Sequence, residues 1–151
     1  MFGFGKPTRE SVSKRTERAS WSGKDLSGLD LSGLAFSYCN FQGTKFSAAN
    51  LSGARFRYCF PMEQCVLDGA NLTGAVFEYC KMERSILVGA NLTRAVFSYC
   101  ELPGAQMSGV TVDGASFRYT SLERTGIQGI SRGVASYEYC EGIEEGGGEE
   151  G

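Results

Sequence analysis

Residues 69–80 read GANLTGAVFEYC and residues 89–100 read GANLTRAVFSYC, the same pattern displaced by twenty. Residues 48–59, AANLSGARFRYC, repeat it once more. A fixed period changes the reading of every residue inside it, so the repeat decides the fold before any local propensity does.

Within the twenty lies a period of five. Trp21, Leu26, Leu31, Phe36, Phe41, Phe46, Leu51 and Phe56 follow one another at steps of five. After one extra residue the series resumes at Met62 and runs through Leu67, Leu72, Phe77, Met82, Leu87, Leu92, Phe97, Leu102, Met107, Val112, Phe117 and Leu122 to Ile127. Two residues before these centres stand small side chains, among them Ala49, Ala54, Cys65, Ala70, Ala75, Ser85, Ala90, Ala95, Ala105 and Ala115. The remaining positions are mainly polar or glycine. A period of five fits neither the helical 3.6 nor the strand period of 2. It fits a coil of four sides, each five residues long, with one large and one small side chain per side turned inward.

The units Ala70-Asn71-Leu72-Thr73-Gly74 and Ala90-Asn91-Leu92-Thr93-Arg94 resemble the pentapeptide-repeat family, and the resemblance covers residues 19–140. It implies an all-β fold, a right-handed quadrilateral β-helix of five to six coils; the handedness comes from the resemblance and not from the period. Stacked at about 4.8 Å, such coils make a rod of roughly 25–30 Å. The resemblance also implies a spread of roles, including members that imitate duplex DNA and bind DNA gyrase, inhibiting it or protecting it from quinolones. Fold similarity alone does not choose among them.

One domain is expected from 151 residues, with 21 glycines and only 3 prolines pointing to regular turns. Charge is unevenly placed. Residues 1–24 hold six basic and two acidic side chains, residues 25–140 nine and ten, and residues 141–151 five glutamates and no base. The division expected is a basic arm or short capping helix over 1–18, the β-helix over 19–140 and an acidic, flexible Gly/Glu tail over 141–151. A nearly neutral coil without a basic stripe argues against direct nucleic-acid binding. The start, MFGFGKPTRE, resembles neither a secretory nor a transit segment, and no run of about eighteen apolar residues exists. A cytoplasmic protein without a membrane span is expected.

Two irregularities stand out. The step from Phe56 to Met62 predicts a bulge over Cys59–Phe60–Pro61. Further on, Arg132 falls on an inward position, where an unpaired guanidinium is too costly, so residues 129–133 are expected to leave the coil, with Ala135 and Tyr137 back in phase.

No histidine is present, which removes the usual general base. The carboxylates Asp68, Glu78, Glu83, Glu101, Asp113, Glu123 and Glu138 occupy outward positions without an apolar pocket around them. Repeat geometry sets the cysteine spacing, with Cys39, Cys80, Cys100 and Cys140 in one inward column and Cys65 on another side. A vertical row does not converge as tetrahedral zinc ligands must, so free thiols, no metal and no cofactor are expected. A non-enzymatic interaction or scaffold protein follows as the leading class.

Tyr38, Tyr58, Tyr79, Tyr99, Tyr119 and Tyr139 all lie two residues after a Phe or Tyr centre and should form an outward ladder. It can brace the coil through ring stacking, or it can serve as a binding face, since tyrosine supplies large amphipathic area at low entropy cost. The mixed signs of Ser37, Arg57, Glu78, Ser98, Arg118 and Glu138 beside it favour a protein partner. At the two ends, Trp21 is placed to plug the first coil, and an open last coil would allow end-to-end dimerisation.

Overall fold

A computed structural model describes residues 5–127 and 134–143. The chain winds as a right-handed, four-sided β-helix. One side carries a six-stranded parallel sheet with one strand per turn: β1 (Ala35–Ser37), β2 (Arg55–Arg57), β3 (Val76–Glu78), β4 (Val96–Ser98), β5 (Ser116–Arg118) and β6 (Ser136–Glu138), in that order. The register stacks Phe36 on Phe56, Phe77, Phe97, Phe117 and Tyr137, which puts Tyr137 in phase as expected. The other three sides are tied by isolated parallel bridges such as Asn50 to Asn71 and Asn71 to Asn91. The expected loop at 129–133 lies outside the described residues.

Each side is short because its chain turns after five residues, and the turn sets the residue type. Two positions after each centre from Trp21 to Leu122 the backbone enters the left-handed region, as at Gly53 (φ 68°) and Gly74 (φ 68°). Glycine adopts that conformation without a Cβ penalty, which accounts for much of its abundance. On the sheet side tyrosine takes the same place, with φ from 51° to 56° at all six positions.

Every centre from Trp21 to Ile127 is buried, and so are the alanines from Ala49 to Ala115, Ser85 and the cysteines two residues ahead of the centres. The phenylalanine column stacks at 4.7–5.1 Å between ring centroids, close to the strand spacing. Each buried Leu or Phe contributes about 1.5–3 kcal/mol before chain entropy is subtracted, so the column is the main cohesive element.

The irregularity at residues 59–61 corrects the expectation. Cys59 is fully buried and stays in the inward column between Cys39 and Cys80, so the disturbance begins only after it. The extra residue is taken up at Phe60 and Pro61, joined by a cis peptide, with Phe60 turned outward under the Lys81 ammonium. Pro61 has no N–H to give where Asn40 and Lys81 donate to the preceding coil.

The amino-terminal segment contains α1 (Arg9–Ser13), closed by a Thr8–Ser11 capping box, which buries Val12 in the core. Its cations complete the first coil. Inside the solenoid the carbonyls of Ser47, Asn50 and Ser52 accept from Gly28, Leu31 and Gly33 of the coil before. The equivalent carbonyls of the first coil, at Ser27, Asp30 and Ser32, have no coil before them. The Lys6 ammonium donates to Ser27 O, and the Arg9 guanidinium donates to Asp30 O at 2.7 Å and Ser32 O at 3.1 Å. Trp21 plugs this end, with its indole N–H donating to Arg15 O at 3.1 Å and the Arg15 guanidinium 4.8 Å from its ring.

Candidate interaction surface

The tyrosines form the column that their spacing predicts. Tyr38, Tyr58, Tyr79, Tyr99, Tyr119 and Tyr139 stack ring on ring at 4.8–5.2 Å, with interplanar angles of 1–14°. Faces are thereby used up in the interior of the stack, while edges and hydroxyls remain in water. Tyr79, Tyr99 and Tyr119 are 41–48 % exposed, and Tyr139, whose outer face has no ring upon it, is 69 % exposed. Among the described residues no side chain hydrogen-bonds to the six hydroxyls.

Arg18 begins the column, although its sequence position did not reveal it. It occupies the same turn position one coil earlier (φ 54°) and lays its guanidinium 4.7 Å from the Tyr38 ring centre. Beside the stack the outward charges of the sheet pair up along the rod axis, Arg57 with Glu78 at 3.0 Å and Arg118 with Glu138 at 2.8 Å.

On the other flank of the column an open groove of about 650 Å³ runs over the carboxyl-terminal coils. Tyr79, Tyr99, Tyr119 and Tyr139 line it together with Pro103 and the carboxylates of Glu101, Glu123 and Glu141. No lysine or arginine lines it, and Glu101, Glu123 and Glu141 make no ion pair among the described residues.

Cysteines lie behind this surface. Cys39, Cys59, Cys80, Cys100 and Cys140 point inward in one column, with Thr120 in place of a thiol in the fifth coil. The side chains donate to carbonyls of the coil before: Cys80 to Phe56 O at 3.4 Å, Cys100 to Phe77 O at 3.2 Å and Thr120 to Phe97 O at 3.3 Å. Cys65 does the same on the next side, reaching Phe41 O at 3.0 Å. Burial pushes the thiols of Cys65 and Cys80 well above the ordinary value of 9.0. No group of three or more His, Cys, Asp or Glu among the described residues is arranged to hold a metal ion. Exposed Asp25 and Asp30 are held below the usual carboxylate range by hydrogen bonds from Ser27 and Ser32, a turn-stabilising arrangement.

The regular coil, its phase-locked columns and its single continuous core define a tandem-repeat solenoid. A family model described as pentapeptide repeats matches eight copies, over residues 17–47, 25–59, 62–89, 77–114 and 90–125. The chain belongs to the pentapeptide-repeat family.

Among solved structures, a trypsin-treated variant of QnrB1, a plasmid-mediated fluoroquinolone resistance protein, is similar at 23 % identity and a TM-score of 0.51, over 85 % of this chain and 74 % of that one. A pentapeptide repeat protein of the Arabidopsis thaliana thylakoid lumen is 24 % identical over 77 % of this chain and 74 % of that one, with a TM-score of 0.48. At such identities the likeness is one of fold. No curated protein matches the sequence significantly.

Proposed function

We propose that this protein is a non-enzymatic interaction module that engages a protein partner through its tyrosine-lined side. The observation that carries this reading is the column of six stacked tyrosines with edges and hydroxyls in water. Stacking fixes the rings before any partner arrives, so docking on them costs little side-chain entropy. Their hydroxyls supply donors and acceptors along a straight line of regular spacing. The carboxylates of the coil are dispersed over outward positions, which fits a binding role better than acid–base chemistry. Six free cysteines fit a reducing, cytoplasmic setting, and no helix among the described residues is long and apolar enough to cross a membrane.

The test is a triple variant, Tyr79→Ser, Tyr99→Ser and Tyr119→Ser. Interface tyrosines can each contribute about 2 kcal/mol or more, so capture of a partner recovered with the intact protein should weaken at least tenfold. Far-ultraviolet circular dichroism should be unchanged. A variant that melts several degrees lower and still holds the same partner would make the column a brace and leave the open coil end as the binding surface.

A further inference from the structure

We infer that the groove beside the tyrosine column takes an extended, arginine-containing basic segment of a partner protein, running along the rod axis. This rests on the tyrosine side being the binding surface, and it adds the chemistry of the occupant. The groove joins Tyr99, Tyr119 and Tyr139 to three carboxylates, Glu101, Glu123 and Glu141, that make no ion pair among the described residues; Lys81, one rung before Glu101, lies over the Phe60 ring, and Arg118, 5.8 Å from the Tyr119 ring, pairs with Glu138. On the sheet side Glu78 and Glu138 each have an arginine partner. Three lining carboxylates and no lining cation along one aromatic wall repel a nucleic acid and attract a cationic chain.

The same column already holds a guanidinium at its other end, where Arg18 lies on Tyr38. Tyr139 presents the equivalent open face at the carboxyl-terminal end, and no cation lies on it among the described residues. Arginine suits it better than lysine because its planar group stacks on a ring and donates to carboxylates at once. A second copy's basic arm is a poor source for that arginine. Lys6 and Arg9 are bonded to first-coil carbonyls, Lys14 pairs with Glu10, Arg15 lies on Trp21 and Arg18 on Tyr38. The occupant is therefore assigned to a different protein.

The experiment titrates a fluorescently labelled, alternating Arg-Ser decapeptide with the full chain at low ionic strength, read by anisotropy, with an alternating Lys-Ser decapeptide beside it. The Arg-Ser peptide should bind and the Lys-Ser peptide should bind several-fold more weakly. Combining Glu101→Gln, Glu123→Gln and Glu141→Gln should weaken Arg-Ser binding at least about threefold. Tyr139→Ser should abolish the preference for arginine. Neutralising the remaining glutamates, with Glu144→Gln, Glu145→Gln, Glu149→Gln and Glu150→Gln, should leave that preference intact.

Absence of peptide binding overturns the inference, as does binding that ignores the groove variants and disappears with the last four. If the peptide fails to bind while Tyr79→Ser, Tyr99→Ser and Tyr119→Ser still abolish partner capture, the basic occupant is wrong and the tyrosine surface stands. If that triple variant still captures its partner, the partner docks elsewhere, and the groove assignment falls together with the tyrosine face.

Discussion

The guanidinium of Arg18 sits 4.7 Å from the ring centre of Tyr38, and both residues hold the same left-handed turn position in successive coils. Arg18 is thus a cationic first rung of an aromatic column. Two opposing terms meet at it: the cation on the ring contributes about 0.5–1 kcal/mol at an exposed site, whereas a non-glycine residue with positive φ costs about 1 kcal/mol.

The two terms separate in a pair of variants. Arg18→Ala removes the cation and keeps the backbone cost, so urea denaturation should show a loss of up to about 1 kcal/mol. Arg18→Gly removes both and should be about 1 kcal/mol more stable than the alanine variant. Equal stabilities would mean that the turn carries no strain.

Phe77 and Tyr79 are two residues apart on the same side, one buried and one half exposed. Phe77→Ala opens a hole between Phe56 and Phe97 and should cost about 3–5 kcal/mol in the same measurement. Tyr79→Ala removes two ring stackings but no core volume, so its cost should be under half of that. A reversal of this order would place the cohesion of the rod in the tyrosine column.

Much of this was legible because a period of five is a global constraint: once Leu72 and Phe77 are placed inward, every centre from Trp21 to Ile127 follows. The same periodicity placed the six tyrosines outward and in register. What it could not give were contacts made once. Lys6 and Arg9 reach carbonyls about twenty residues away because a coil edge is unsatisfied, and no repeat marks them. Cys59 looked like part of the bulge because the irregularity was located only to within three residues. The acidic residues of the groove were visible as separate glutamates, but their place beside the tyrosines needed the coil that brings Glu101, Glu123 and Glu141 to one groove with Tyr99 and Tyr119.

The buried thiols predict both reactivity and pH dependence. A thiol reagent should leave Cys39, Cys59, Cys65, Cys80 and Cys100 untouched in the native protein, react first at the half-buried Cys140, and reach all six on unfolding. Elemental analysis should find no stoichiometric zinc. Because burial raises the folded-state values of Cys65 and Cys80, their contribution is fully present below the unfolded thiol value and is lost as pH rises from about 9. Each thiol that ionises only when unfolded should lower stability by roughly 1.4 kcal/mol per pH unit in that range. Stability that rises above pH 9 would contradict the buried, neutral thiols.

The last prediction concerns DNA gyrase, which the family resemblance brings into view. Imitation of duplex DNA requires a matching charge density, and a duplex carries one negative charge per about 1.7 Å of axis. Six strands, one per turn, give five rises at about 4.8 Å, or about 24 Å of rod, over which a duplex holds about 14 negative charges. Residues 25–140 hold nine basic and ten acidic side chains, a net −1. Part of that charge is cancelled locally, since Arg57 binds Glu78 and Arg118 binds Glu138, and the amino-terminal end is basic. The carboxylates of the groove form a short strip on one side, not a surface that wraps the rod. Purified protein at low micromolar concentration should therefore neither inhibit supercoiling by gyrase nor protect the enzyme from a quinolone. Clear inhibition at that level would show that the charge argument fails and would put a gyrase-binding role ahead of the tyrosine-side partner.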